Sequence, residues 1–230
     1  MKAFLLAAGY GTRLRPLTDT TPKCLLPVQG VPLLQVWLEL CHRHGISEVL
    51  INLHAHASKV RDYSSHHRNG VGIRIAEEPT LLGSAGTVWE NREWVRDSEC
   101  FWIFYADVLT RADLTSMLVF HRNHGLAATL GVNRVPDPSR CGVVTARPDN
   151  VLQSFVEKPG KPKSQLAFSG IMLASPSWLN FIPPERPADL GFHVLPRLAG
   201  RAAVYEIPEY LLDIGTPENY KIAQQTWPGL

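Results

Sequence analysis

An α/β fold, with a mixed and mostly parallel sheet flanked by helices, is predicted by three features of these 230 residues. Short apolar runs bounded by turn residues alternate with longer segments of helical spacing, the pattern of strands joined by crossover helices. Seventeen glycines and 18 prolines exceed average usage without reaching low-complexity levels, which calls for many shaped turns. Hydrophobic residues make up 45% of the chain, enough for a sizeable core at this length.

The elements follow in order. Ala3 to Ala8 is an apolar run stopped by Gly9; it is shorter than a signal-peptide core of roughly 7 to 15 residues, so it reads as a buried first strand. A helix begins near Leu33, after the turn residues Pro27, Gly30 and Pro32. Strand Glu48 to Asn52, a helix near Ser58, strand Gly72 to Ala76, a helix near Gly86 and strand Phe101 to Ala106 complete an alternation that implies right-handed parallel crossovers. After Asp107 the rhythm changes. A helix near Leu114 leads into strands Ala127 to Val132, Gly142 to Ala146, Val151 to Val156 and Ala167 to Leu173, which predict a small β-rich flap. Helices near Leu190 and Pro217 follow. Without a repeat, charge run or compositional shift, residues 1–230 read as one domain.

Composition excludes several classes of function. Twenty-three Lys and Arg against 21 Asp and Glu leave a net charge of +2, too little to recruit nucleic acid or an anionic membrane through a global field. Any anionic partner must be held by a few placed cations. Cys24, Cys41, Cys100 and Cys141 form no CxxC pair and read as reduced thiols of a cytoplasmic protein. No apolar stretch approaches the roughly 20 residues of a spanning helix.

The segment richest in chemistry is Leu6-Ala-Ala-Gly-Tyr-Gly-Thr-Arg-Leu-Arg-Pro-Leu-Thr18, followed by Thr21-Pro-Lys-Cys-Leu-Leu-Pro27. A buried strand runs into a loop where Gly9 and Gly11 let a phosphate or base approach backbone N–H groups. Arg13 and Lys23 add charges suited to a polyphosphate. A dinucleotide fingerprint needs a third glycine where Leu14 stands, and a Walker loop does not occur.

This segment resembles the signature of the sugar-1-phosphate nucleotidyltransferases. Further stretches agree in order: Leu82-Gly-Ser-Ala-Gly86, Tyr105-Ala-Asp-Val108, Cys141-Gly-Val-Val144, Phe155-Val-Glu-Lys-Pro159, Phe168-Ser-Gly170 and Asp213-Ile-Gly-Thr-Pro-Glu218. The resemblance implies a Rossmann-like nucleotide-diphosphosugar transferase fold, with a nucleotide-binding half at about 1–110 and a sugar-binding half at about 111–220. It implies the reaction of a nucleoside triphosphate with a sugar 1-phosphate to give a nucleotide sugar and pyrophosphate. Arg13, Lys23 and Lys158 are then the catalytic cations, the first two on the triphosphate and Lys158 on the sugar phosphate. Leu6, Ala8, Gly9, Gly11, Thr12 and Gly83 join the nucleotide site, and Gly142, Glu157, Ser169 and Gly170 the sugar site. Arg15 either assists or is a solvated cation.

Asp107 ends an apolar strand at the edge where such sheets place ligands. Magnesium takes one or two carboxylates plus phosphate oxygens, so Asp107 and Asp213 are the expected ligands of Mg2+. The alternatives are caps: Asp107 of a turn, Asp213 of the helix after Pro217. The family usually has asparagine before Gly170, whereas this chain has Ser169, a shorter side chain with one donor fewer. Leu82-Gly-Ser-Ala-Gly86 is similar to the LGTAG form of mannose and heptose guanylyltransferases, and Tyr10 agrees. Guanine is therefore the expected base, with uracil or thymine next. The carboxyl-terminal β-helix or acyltransferase domain of some relatives is expected to be absent. A homodimer through the sheet edge or flap is compatible with the sequence.

Two readings from other classes fare worse. A non-catalytic nucleotide-sugar-binding subunit should have lost Arg13, Lys23, Asp107, Lys158 or Asp213, and an NAD-dependent enzyme lacks its third glycine. His121 and His124 read as cations at a helix C-terminus.

Overall fold

The computed structural model describes residues 1–67 and 69–230. Its contacts divide the chain into two compact units. The first comprises Met1–Leu81, Phe104–Ala112 and Glu209–Leu230, and the second Leu82–Ile103 and Asp113–Pro208. Strand Phe101–Tyr105 runs through the boundary.

In the first unit, strand Lys2–Leu6 pairs in parallel with Glu48–Leu53, which pairs in parallel with Gly72–Glu77. Parallel strands covered on both faces read as continuous apolar runs, and Ala3, Phe4, Leu5, Val49, Leu50 and Ile51 are all buried. The helix Leu33–Arg43 links the first two. Its apolar residues recur every three or four positions, burying Leu33, Leu34, Trp37, Leu38 and Cys41 along one stripe. Trp37 stacks on Phe104 with ring centroids 4.6 Å apart. The second crossover carries helix Ala57–His66.

The expected strand through Ala106 ends at Tyr105. Ala106 and Asp107 form a turn, and the chain re-enters a three-residue strand, Val108–Thr110, paired antiparallel with Leu211–Asp213. Both strands escape sequence reading because three residues cannot display a period.

The second unit holds the β-rich part. Leu166–Ala174 pairs antiparallel with Ala128–Arg134 and, at Ala167, with Gly142–Ala146, which pairs antiparallel with Leu152–Glu157. Ala202–Glu206, absent from the sequence reading, lies parallel to Ala128–Arg134. The register of Leu166–Ala174 shifts between Phe168 and Met172, a bulge that contains Ser169 and Gly170. Gly170 has φ +76° there, a conformation open to glycine.

Helix Leu114–His124 is capped by Asp113, whose carboxylate accepts the Ser116 N–H at 3.0 Å, and ends at Gly125 with φ +63°. His121 is not the expected helix-terminal cation. It is buried, its Nδ1 lies 2.9 Å from the Thr129 hydroxyl, and desolvation lowers its pKa below the ordinary histidine value. The unfolded chain therefore takes up a proton that the folded one resists. The stability this confers is present above about pH 6.5 and is lost as pH falls toward the folded pKa. Thermal unfolding should show this loss on acidification, with a shallower acid limb for His121→Gln. Equal acid limbs in the two proteins would contradict the assignment.

Candidate active site

The first unit assembles four charged side chains at the end of its parallel strands. The loop after Lys2–Leu6 is tied at its start, where Ala7 N–H donates to Asn52 Oδ1 at 2.7 Å and Asn52 Nδ2 to Glu78 Oε1 at 2.8 Å. The Leu6 carbonyl accepts the Ala106 N–H at 3.1 Å, and Ala8 is buried. Gly9 borders open space: no atom lies within 4 Å of the position a Cβ would take. Gly11 has φ +64°, and Thr18 closes on it by donating to its carbonyl at 2.8 Å. Between them, Tyr10 is 54% exposed and donates to His54 Nε2 at 2.8 Å. His54 Nδ1 faces the Glu78 carbonyl at 2.7 Å, so Nδ1 carries the proton.

Thr12–Leu14 forms a single turn that buries Leu14 and leaves Thr12 and Arg13 exposed. Lys23 starts a similar turn after Pro22, and its ammonium reaches Asp107 Oδ2 at 2.5 Å. The pairing of Val108–Thr110 with Leu211–Asp213 sets Asp213 opposite Val108, one residue from Asp107. Asp213 Oδ1 accepts the Gly215 N–H at 2.6 Å. A Cβ on Gly215 would stand 2.7 Å from Asp213 Oδ1, 2.9 Å from Lys23 Nζ and 3.0 Å from Arg13 Nη2. Two cations and one carboxylate thus gather around one bare α-carbon, and Asp107 joins them through Lys23. Asp213 is an exposed residue, yet the protein around its carboxyl and the Asp107 charge raise its pKa, against the pull of Lys23, the Gly215 N–H and Arg13. Capping does not explain Asp213: Thr216 caps the helix Pro217–Thr226, accepting the Asn219 N–H. Arg15 pairs with Asp19 at 3.2 Å on the surface.

The second unit contains the other expected site residues. Gly142 and Glu157 are cross-strand partners, and a Cβ on Gly142 would lie 2.9 Å from Glu157 Oε2. Lys158 Nζ is 3.5 Å from Glu157 Oε1, and the Lys158 backbone has φ +49°, unusual for a residue with a Cβ. Burial pushes the Glu157 carboxyl up, Lys158 draws it down and the Asp189 charge raises it, for a net upward shift. Ser169 is buried; its hydroxyl donates to the Gly131 carbonyl at 2.7 Å and accepts the Ile171 N–H at 3.3 Å. Gly83 has φ +79°, and a Cβ there would lie 2.3 Å from the Ala188 carbonyl oxygen. That carbonyl accepts the N–H groups of Ala85 and Gly86, and Ala188 N–H donates to the Leu82 carbonyl.

The sequence model of the family described as Nucleotidyl transferase matches residues 2–227. The chain belongs to the nucleotidyl transferase family. Among its relatives, the Xenopus laevis mannose-1-phosphate guanyltransferase beta-A is 33% identical over 226 residues, covering 96% of this chain and 62% of the relative. The Dictyostelium discoideum mannose-1-phosphate guanylyltransferase catalytic subunit beta is 28% identical, with the same coverage. The chain thus spans about three fifths of the length of these relatives. A UDP-glucose pyrophosphorylase solved with UDP-glucose shares the fold with a TM-score of 0.84 at 22% identity, covering 97% of each chain.

In this nucleotidyl transferase, the structure brings Arg13, Lys23, Asp107 and Asp213 together in the first unit, and Gly142, Glu157 and Lys158 together in the second. Ser169 lies in the strand that pairs with Gly142–Ala146, its hydroxyl committed to the backbone. The sequence reading names none of Asp189, Gly191 and Phe192 as a site residue, yet Gly191 lies against Glu157 Oε2 and the Asp189 charge acts on Glu157. Cys24 and Cys41 are not placed as nucleophiles: both are buried, and burial pushes the Cys24 thiol up to about 12 and Cys41 higher still.

Proposed function

We propose that this nucleotidyl transferase joins a nucleoside triphosphate to a sugar 1-phosphate, releasing pyrophosphate, with GTP and a mannose- or heptose-type sugar 1-phosphate as the preferred pair. The observation that carries the reading is the meeting of Arg13, Lys23 and Asp213 around Gly215, with Asp107 paired to Lys23. Guanine and mannose are favoured by the names of the relatives and by Leu82-Gly-Ser-Ala-Gly86.

The chemistry asks for charge management rather than a base. A sugar phosphate oxygen, ionised at neutral pH, attacks the α-phosphorus in line; the bond to the bridging oxygen breaks and pyrophosphate leaves with that oxygen's electron pair. Repulsion between two anions is the main obstacle, and fixed cations lower it. Arg13 and Lys23 hold the triphosphate, with the loop N–H groups near Gly9 and Gly11 as further donors. Lys158 holds the sugar phosphate and Glu157 takes its hydroxyls. Ser169 supports the strand from behind, since its donor is already used.

The residues present fit a divalent cation. Asp107 and Asp213 lie close enough for the charge of Asp107 to raise the pKa of Asp213, a repulsion that a divalent cation would relieve. Asp107 and Asp213 would hold magnesium, which when bound supplies charge screening of the phosphates and of the departing pyrophosphate. No helix among the described residues is long and apolar enough to cross a membrane; the proposed location is the cytoplasm.

Pyrophosphate release, measured with magnesium across a grid of nucleoside triphosphates and sugar 1-phosphates, tests the reading. Turnover is expected, fastest with GTP and mannose or heptose 1-phosphate. Its absence for every pair would sink the enzymatic reading, and a faster uridylyl or thymidylyl reaction would overturn the base assignment alone.

A further inference from the structure

The turn Asp189–His193 holds two exposed residues, Phe192 and His193, on a frame fixed from both sides: Leu190, Gly191 and Val194 are buried, and hydrogen bonds pin the rest. Leu190 N–H donates to Ser84 Oγ at 2.7 Å, and that hydroxyl donates to Asp189 Oδ2 at 3.0 Å. The other carboxylate oxygen accepts the Phe192 N–H at 3.2 Å. Asp189 N–H donates to His193 Nδ1 at 2.8 Å, and His193 N–H returns to the Asp189 carbonyl at 3.0 Å. Leu190–Val194 forms a single π-helical turn, a rare widened geometry that is frequent at functional sites.

What this scaffold holds is an aromatic ring beside two charges. Gly191 backs directly onto Glu157: a Cβ there would stand 2.4 Å from Glu157 Oε2. Phe192, the next residue, is 57% exposed, and Lys158 Nζ lies 5.6 Å from its ring centroid. A single exposed aromatic is ordinary on a protein surface. One whose turn is held by these hydrogen bonds, next to a half-buried carboxylate and an ammonium, is preorganised for a ligand. Carboxylate, ammonium and aromatic face are the three groups that recognise a sugar phosphate: hydroxyls bind the first, phosphate the second, and the apolar C–H face of the sugar the third.

We propose that Phe192 is a specificity-determining residue whose ring takes the C–H face of the aldose in the sugar 1-phosphate. This rests on the reading of Glu157 and Lys158 as sugar-phosphate groups. The firm turn keeps the ring from collapsing onto the surface, and the pair Ser84 and Asp189 keeps the turn in place.

Titration calorimetry of the wild type, Phe192→Ala and Phe192→Tyr, using mannose 1-phosphate, glucose 1-phosphate and inorganic phosphate, tests the inference. Phe192→Ala should weaken at least one sugar 1-phosphate about 10-fold while inorganic phosphate binds as before, and Phe192→Tyr should restore the affinity. The KM for the sugar 1-phosphate should rise in step, with the KM for the triphosphate unchanged. Unaltered sugar-phosphate binding, an equal loss for inorganic phosphate, or no sugar-phosphate binding by the wild type would each overturn it. Pyrophosphate release by the wild type separates the two failures. Turnover alongside normal sugar binding by Phe192→Ala defeats only the role of Phe192; absence of turnover defeats the enzymatic reading, while the titrations still decide on Phe192.

Discussion

Asp107→Ala is expected to lower turnover by a factor of about 10² to 10³ while the protein melts as before. The catalytic loss follows from the electrostatics around Gly215. Asp107 accepts Lys23 at 2.5 Å and acts on Asp213 through its charge. Without it, Lys23 loses its ion-pair partner for the proposed triphosphate contact, and the proposed magnesium site keeps one carboxylate. The small stability effect is expected because Lys23 keeps a carboxylate partner: Asp213, on whose carboxyl Lys23 already acts, remains beside the ammonium when Asp107 is removed. Asp107→Asn separates charge from shape, because it preserves volume and should fail equally. Pyrophosphate release by both variants is the measurement, with thermal unfolding as the control. Near-normal turnover in Asp107→Ala would remove that residue from the site.

Gly83→Ala should be the most damaging single methyl in the molecule, costing about 3 kcal/mol from backbone strain and overpacking together. The backbone at Gly83 lies at φ +79° and ψ 159°, a region reserved for glycine. The added Cβ would meet the carbonyl oxygen, carbon and nitrogen of Ala188 at 2.3, 2.7 and 2.9 Å. These are backbone atoms that cannot step aside, since the same carbonyl accepts Ala85 and Gly86 N–H. At roughly 2 to 4 °C per kcal/mol for a protein of this size, the melting temperature should drop by about 6 to 12 °C. Gly9→Ala is the matched control, because its Cβ meets nothing within 4 Å. A melting temperature for Gly83→Ala within a degree or two of that control would show that the Leu82–Gly86 loop relaxes freely.

The two substitutions differ in how far the sequence alone anticipates them. Asp107 is legible, because a carboxylate that directly follows an apolar strand is delivered to the edge of the sheet where ligands bind. Gly83 is legible as a motif position, but not as a packing constraint, because Ala188 is more than one hundred residues away. The same distinction applies to Ser169. Its departure from the family's asparagine is visible in the sequence, whereas its burial and its bond to Gly131 are consequences of the strand pairing. His121 has the sequence pattern of a cation at a helix end, and its burial beside Thr129 lowers its pKa instead.

By itself, the sequence determined the alternation of strands and helices, because apolar periodicity and turn residues act over a few neighbouring positions. It also determined the residue types of the proposed site, since Arg13, Lys23, Asp107, Lys158 and Asp213 are written in motifs. Only the tertiary structure decided which of these touch. The three-residue ladder between Val108–Thr110 and Leu211–Asp213 sets Asp213 beside Asp107 across about one hundred residues of chain, and the Asp189–His193 turn sets Gly191 against Glu157. Such contacts depend on loop closure and on the fit of one surface to another, and neither leaves a periodic or local mark in the chain.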